Sequence, residues 1–465
     1  MVIGMSTHPY MPNSVPKIKE EMYREIGVSG VEELIRKLVP EDIIFSGELN
    51  LPEAISELEL KRHLESVLSK NKITEDLLVF LGAGSYPHFV PSLCDEIYSR
   101  SEFATAYVGD VYGDYGKFQA LFEFQSMVGD LLEMDIVSLP TYDGVSAAGE
   151  AARIPTRVTG RKEILVPKII NQEKISTIEN YVEPLADVKL VDHDPETGQL
   201  DIEDLKEKIS SKTAGVFIEN PSYLGVIETQ TKEIGEIAHD HGAIFVAGVN
   251  DPLSLGVLSA PGDYGADVVY AEGQPLGLHM GCGGISLGIL ACRDEPTLAE
   301  VMPQLFLSVT KTTREGELGF SWFALPERMM YVAREKCRSF VGTSAGLHAI
   351  VAGVYLALMG PQGIRELAEL IMYRSHYAIK KISQLSEIKA PLFKGPHFEE
   401  FTVNFTNTGK TVKEINKALL EHGIQGGKDL SREFPELGNT ALYCVTELHT
   451  KEDLDKLVSA LEEVI

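Results

Sequence analysis

The chain has 465 residues, 44% hydrophobic and 24% charged, which fits a well-packed protein of about two to three domains or one large domain with an appendage. This profile excludes disordered, collagen-like and disulfide-scaffold classes. Lys and Arg total 42 against 69 acids, a net charge of −27 that repels phosphate backbones and anionic lipid, so neither nucleic acid nor membrane is an expected partner.

The cysteines, Cys94, Cys282, Cys292, Cys337 and Cys444, are scattered and form no C-x-x-C pair. That argues against a disulfide framework or a zinc site and for a reducing, cytoplasmic setting. No secretory signal is read at the start, where the apolar run 1–5 is short and Pro9, Pro12 and Pro16 follow.

Residues 1–70 read as an N-terminal helical arm. The apolar spacing predicts helices over 31–39, with Ser29 as a cap ahead of Glu32 and Glu33, and over 58–68, with Ser56 and Glu59 as a capping box. Residues 71–325 alternate. Apolar, β-branched runs at 135–139, 163–166, 188–191, 215–218, 243–247, 267–270 and 285–291 are separated by helical patterns such as 202–209 and 233–239. Strand, helix, strand in repetition predicts parallel pairing in an open α/β sheet, with ligand chemistry at the carboxyl ends of its strands. Residues 326–390 form a helical connector. Its stretch 339–364 lacks Asp, Glu, Lys and Arg, but the continuous apolar part is only 349–359, so it reads as a buried central helix rather than a span. Residues 391–465 read as a small α+β domain, with strands at 401–405 and 441–445 and helices at 412–420 and 452–464.

Such a sheet suits pyridoxal phosphate when three things are present: a helix amino terminus for the phosphate, a carboxylate at a strand end for the pyridine nitrogen, and a lysine for the covalent link. The first is supplied by Asp143-Gly144-Val145-Ser146, which follows a strand and opens a small-residue helix. Ser146 reads either as an anion-binding cap or as an ordinary one. The carboxylate is missing, because the strand 243–247 ends at Gly248. Asp251, three residues on, either reaches back or caps the next turn. The lysine is missing too, since Gln274 stands where it is expected, before the glycine-rich Gly281-Cys282-Gly283-Gly284, and an amide nitrogen forms no imine. Lys311 is the nearest downstream lysine, read as a candidate or as a solvated loop residue. His239-Asp240-His241 reads as a helix end capped by Gly242, with a metal site as the alternative. Glu219-Asn220-Pro221-Ser222 reads as a pocket rim or a plain turn.

An ordered set of segments carries a family resemblance over roughly 450 residues. It includes His8-Pro9-Tyr10-Met11-Pro12, Leu81-Gly82-Ala83-Gly84-Ser85-Tyr86, Ser101-Glu102-Phe103-Ala104-Thr105-Ala106-Tyr107 and Phe122-Glu123-Phe124-Gln125-Ser126-Met127. Tyr142-Asp143-Gly144, Arg334-Glu335-Lys336, Tyr355-Leu356-Ala357-Leu358-Met359-Gly360, Gly423-Ile424-Gln425-Gly426-Gly427 and Cys444-Val445-Thr446-Glu447 complete it. The chain resembles the glycine cleavage system P-proteins, and within them the alpha, or subunit 1, chain of the two-chain form.

The resemblance implies a fold-type I pyridoxal-phosphate transferase, aspartate aminotransferase-like, whose own site has degenerated. Gln274 would stand at the Schiff-base lysine position and Gly248 at that of the pyridine-nitrogen Asp, with Asp143, Gly144 and Ser146 a relic phosphate loop. No cofactor would be bound covalently here. Pyridoxal phosphate would sit on the lysine-bearing subunit 2, with two copies of each chain. The complex would decarboxylate glycine and pass the aminomethyl group to the lipoyl arm of H-protein. Two segments depart from the family pattern: Val108-Gly109-Asp110-Val111-Tyr112-Gly113-Asp114-Tyr115-Gly116, and Asn171-Gln172 where His-Pro is usual. The rival readings are a self-sufficient pyridoxal aminotransferase or decarboxylase using Lys311, and a non-catalytic structural or regulatory relative.

Overall fold

The structure, a computed structural model, describes residues 7–8, 10–45, 47, 49–74, 76–104, 116–281, 286–303, 306–323 and 345–465. The expected helical pattern over 326–344, the Arg334-Glu335-Lys336 segment, the departure at 108–115 and Cys282-Gly283-Gly284 lie outside the described residues. The chain divides into two units, Met1–Asn71 and Lys72–Ile465.

The first unit holds helices α1 (Pro16–Ile26), α2 (Val31–Leu38) and α3 (Glu57–Leu68). The expected capping box starts α3: the Glu59 N–H donates to Ser56 Oγ at 3.3 Å, and the Glu59 carboxylate accepts the Ser56 N–H at 2.9 Å. Ser29 does not cap α2. Gly30 holds the cap position, and Ser29 donates its N–H and hydroxyl to Glu33, each at 2.8 Å. No side chain of these three helices is buried.

The second unit opens with β1 (Leu78–Val79), α4 (Ser92–Tyr98), α5 (Phe118–Leu132) and β2 (Ile136–Val137). It then alternates: α6 (Gly144–Thr159), β3 (Glu163–Pro167), α7 (Gln172–Val182), β4 (Asp187–Val191), α8 (Ile202–Lys208), β5 (Thr213–Glu219), α9 (Thr231–Asp240), β6 (Ile244–Val249), β7 (Val268–Glu272) and β8 (Gly288–Cys292). These strands form one seven-stranded sheet in the order β2-β8-β7-β6-β5-β3-β4. From β7 to β4 all neighbours are parallel, as crossover helices require. The expectation of parallel pairing throughout fails at one edge, where β8 runs antiparallel to both β7 and β2. β8 follows β7 with no crossover helix among the described residues between them, so the chain returns in the opposite sense. Every residue of β3 and β5 is buried, which is why their central stretches, 164–167 and 214–218, read as apolar runs. Full burial of a side chain such as Phe217 or Ile218 contributes about 2 kcal/mol.

A short α10 (Pro296–Ala299) leads to the antiparallel hairpin of β9 (Phe306–Lys311) and β10 (Leu318–Phe323). Helix α11 (Gly346–Ile382) is long and apolar enough to cross a membrane by composition, but its stretch from Ala349 to Leu356 packs into the same core as α5. Gly360, at φ 60°, and Pro361 break it in the middle. The last segment places β11 (Glu400–Asn404), α12 (Val412–Glu421), β12 (Ile424–Gln425), β13 (Lys428–Asp429), β14 (Thr440–Cys444) and α13 (Lys451–Val464). β14 lies between β11 and β13, antiparallel to both, while β12 pairs with β1. Phe80, Phe401, Val403, Phe405, Tyr443, Leu457 and Leu461 fill the core beneath α12 and α13.

Candidate functional site

The chemistry-bearing residues meet at the carboxyl ends of β5, β6 and β7. The amino terminus of α6, the natural anion site, comes first. Its cap is Asp143, not Ser146: Asp143 Oδ1 accepts the Ser146 N–H at 2.6 Å, and Ser146 Oγ accepts the Asp143 N–H at 3.1 Å. Glu272, the last residue of β7, reaches across and takes the Gly144 N–H at 2.8 Å through Oε2. Its Oε1 accepts the N–H groups of Gln274 at 2.8 Å and Leu287 at 2.9 Å. The first backbone donor of the helix, the Gly144 N–H, thus faces a carboxylate of the chain itself. Burial raises the Glu272 carboxyl to about 7, against the pull of those three donors and with help from Asp143. Glycine at 144 permits the approach, because a Cβ there would lie 2.9 Å from Glu272 Cβ.

At the neighbouring strand ends, Gly248 sits in register between Glu219 and Tyr270. A Cβ on Gly248 would lie 2.4 Å from Tyr270 Cζ, so the phenol ring occupies the direction a carboxylate would take. The Tyr270 hydroxyl donates to Glu219 Oε1 at 3.2 Å. Lys174, from α7, is hydrogen-bonded to Glu219 and to Asn250 Oδ1, and its Nζ stands 5.6 Å from the Tyr270 ring centre. Asn250 completes the group by donating to Glu219 Oε2 at 3.2 Å. Sequence reasoning missed Lys174 and the partner role of Glu219. A signal existed, since Lys174 shares the inward face of α7 with Ile175, Ile178 and Val182.

Gln274 is 2% exposed and fully engaged. Its Oε1 accepts the Tyr86 N–H at 2.9 Å, and its Nε2 donates to the carbonyls of Tyr86 at 3.2 Å and Leu278 at 2.8 Å. The loop so held carries His88, whose imidazole is 2% exposed among Asp251, Glu399 and Glu447. Asp251 caps the following turn, accepting the Leu253 N–H through Oδ1 at 2.8 Å, and turns Oδ2 to His88 Nε2 at 3.5 Å. Glu400 beside them accepts the Ala83 N–H at 2.6 Å and the Tyr86 hydroxyl at 3.2 Å. Burial disfavours the charged imidazole, but contact with the Asp251 and Glu447 carboxylates outweighs it and raises His88 to about 10. Burial, then the charges of Asp251 and Glu400, push Glu399 well above the carboxylate range. Burial raises Glu400 to about 7.

The remaining candidates lie apart from this site. Lys311 ends β9 and is exposed on the hairpin. His239 turns to Asp267 at 2.9 Å, while His241 bonds the Ile237 carbonyl at 2.8 Å, so the two do not share a ligand position. Asn220 closes its own turn by accepting the Glu228 N–H at 3.1 Å.

The three places expected to serve pyridoxal phosphate are therefore taken or changed. An engaged amide stands at 274, a phenol ring lies over Gly248, and a carboxylate sits against the α6 amino terminus. The nearby amine of Lys174 is ion-paired with Glu219. The residues present do not fit that cofactor.

The family model described as "Glycine cleavage system P-protein" matches residues 9–461. The chain belongs to this family. Among curated proteins it is similar to the "Probable glycine dehydrogenase (decarboxylating) subunit 1" of Staphylothermus marinus, 41% identical over 99% of both chains. It is also similar to the protein of that name from Pyrococcus abyssi, 40% identical over 99% of this chain and all of the relative. A crystal structure of glycine decarboxylase (P-protein) of the glycine cleavage system, in inhibitor-bound form, superposes with a TM-score of 0.86 at 33% identity, covering 99% of this chain and all of that one. A sphingosine-1-phosphate lyase from Burkholderia pseudomallei superposes with a TM-score of 0.64 at 16% identity, covering 91% of this chain and 94% of that one, and shares the fold alone. The P-protein fold here is that of the fold-type I pyridoxal enzymes, as expected.

Proposed function

We propose that the chain is the subunit of a two-chain glycine decarboxylase that lacks the lysine, and that its partner carries pyridoxal phosphate. The complex would release the glycine carboxylate as carbon dioxide. It would pass the aminomethyl group to the lipoyl disulfide of H-protein, which accepts the electron pair as its S–S bond opens. The observation that carries this reading is the full-length P-protein framework combined with a filled cofactor pocket.

The share of this chain is to bind and shield. Phe89 and Leu448 stand exposed on either side of the Glu447 contact, where the Phe89 N–H donates to Glu447 Oε1 at 2.6 Å. Leu38, Ile43, Phe45, Leu49 and Leu51 of the first unit are likewise exposed. Exposed apolar side chains on each unit favour a partner, which we take to be subunit 2, two copies of each chain assembling in the cytoplasm. Excluding water at that joint would strengthen electrostatics in the partner's site.

Co-expression with the lysine-bearing subunit, sizing and a glycine–bicarbonate exchange assay test the reading. Exchange is expected only when both chains are present. A dialysis-resistant, borohydride-reducible cofactor on this chain alone, with turnover of glycine, would overturn it.

A further inference from the structure

Three buried polar atoms converge beside the loop held by Gln274 with no hydrogen bond of ordinary geometry, meeting one another only at ion-pair distances: His88 Nε2, Asp251 Oδ2 and Glu399 Oε2. Unsatisfied buried groups are costly, and three aimed at one point need a common explanation. They lie within 4.8 Å of one another, with Nε2 3.5 Å from Asp251 Oδ2 and 3.7 Å from Glu399 Oε2. Ligands about 2.0–2.2 Å from a tetrahedral ion stand roughly 3.3–3.6 Å apart, so the two imidazole–carboxylate distances are already close to those of a ligand set.

The surroundings match a ligand set as well. Glu447 accepts from His88 Nδ1 at 2.8 Å, which leaves Nε2, the nitrogen facing the two carboxylates, to give up its proton to an incoming cation. A carboxylate behind a ligating histidine is the usual way to fix its tautomer and raise its basicity. The second oxygen of Asp251 is held by the Leu253 N–H, and the loop carrying His88 is pinned by Gln274. A small cavity lined by Tyr86, Asn250, Asp251, Glu399 and Glu400 adjoins the cluster, offering a place for a water ligand.

We propose that His88, Asp251 and Glu399 bind one divalent transition-metal ion of the zinc type, oriented by Glu447. One imidazole with two carboxylates selects such an ion over magnesium or calcium, which prefer all-oxygen shells. The ion would tie together the loop after β1, the turn after β6 and the start of β11, a structural role separate from glycine chemistry.

The full-length chain, stripped with a chelator and dialysed, should be titrated with Zn²⁺ by calorimetry and with Co²⁺ by visible absorbance. One ion per chain is expected, with cobalt bands displaced by zinc and a higher melting temperature when the ion is bound. Glu399→Gln should remove binding, whereas Glu447→Gln should weaken it roughly 10–100-fold and keep the stoichiometry. If a variant does not fold, zinc X-ray absorption of the unaltered chain reads the ligands directly: one imidazole among oxygen donors is expected. No stoichiometric ion would overturn the proposal and leave a proton shared between Asp251 and Glu399. So would two or more imidazoles around the zinc, or affinity unchanged in Glu399→Gln.

Discussion

The side-chain amide of Gln274 grips the backbone of Tyr86 at both its N–H and its C=O, bridging 188 residues of sequence. The residue expected at the lysine position of the pyridoxal enzymes acts as a strut.

That strut should be measurable. Gln274→Ala leaves the Tyr86 N–H and two carbonyls without partners in a buried place, at a cost of roughly 3 kcal/mol. Urea denaturation reads the loss. Gln274→Lys should destabilise comparably and gain no borohydride-reducible cofactor, because the amide contacts are lost and the anion cup stays filled.

The cup itself can be emptied. Glu272→Ala frees the Gly144 N–H at the α6 amino terminus and the N–H groups of Gln274 and Leu287 beside it, so inorganic phosphate should bind the variant weakly and the unaltered chain not at all. Phosphorus NMR line broadening distinguishes the two, and equal broadening would show that the carboxylate does not block the site.

Glu272 also sets a pH dependence. Its folded pKa, about 7, lies above its ordinary value of 4.5, so the folded chain holds the proton more tightly than the unfolded one. The resulting stabilisation is complete below about 4.5 and is lost as pH rises through about 7, at most about 3 kcal/mol. The stability profile of Glu272→Gln should be flatter over that window than that of the unaltered chain.

Lys174 and Lys311 should behave in opposite ways. Lys174→Met leaves Glu219 buried without its cation and should cost about 3–5 kcal/mol by chemical denaturation. Lys311→Ala removes an exposed side chain, so stability should stay within about 0.5 kcal/mol and exchange activity of the assembled complex should be unchanged. Loss of exchange in the second variant would favour the self-sufficient reading.

The parallel core was legible because β3 and β5, buried on both faces, carry continuous apolar runs. The direction of β8 was not, because an apolar run carries no sign of which way it points. The capping box of α3 was legible from Ser56 and Glu59, yet at α6 the cap was read at Ser146, where Asp143 holds it and Ser146 closes the box from the third position. The glycine at 248 and the amide at 274 could be read directly from the sequence. What fills them could not: Tyr270 covers Gly248 through strand register, Lys174 meets Glu219 across 45 residues, and the His88 cluster gathers side chains from four distant segments.

The carboxylate of Glu272 on the Gly144 amide also bears on any attempt to engineer a coenzyme site into this chain. A lysine placed at 274 alone would face an anchor already taken, and an aspartate placed at 248 alone would collide with a phenol. Each position is sealed by a neighbour, so several coordinated changes would be needed before a coenzyme could be seated.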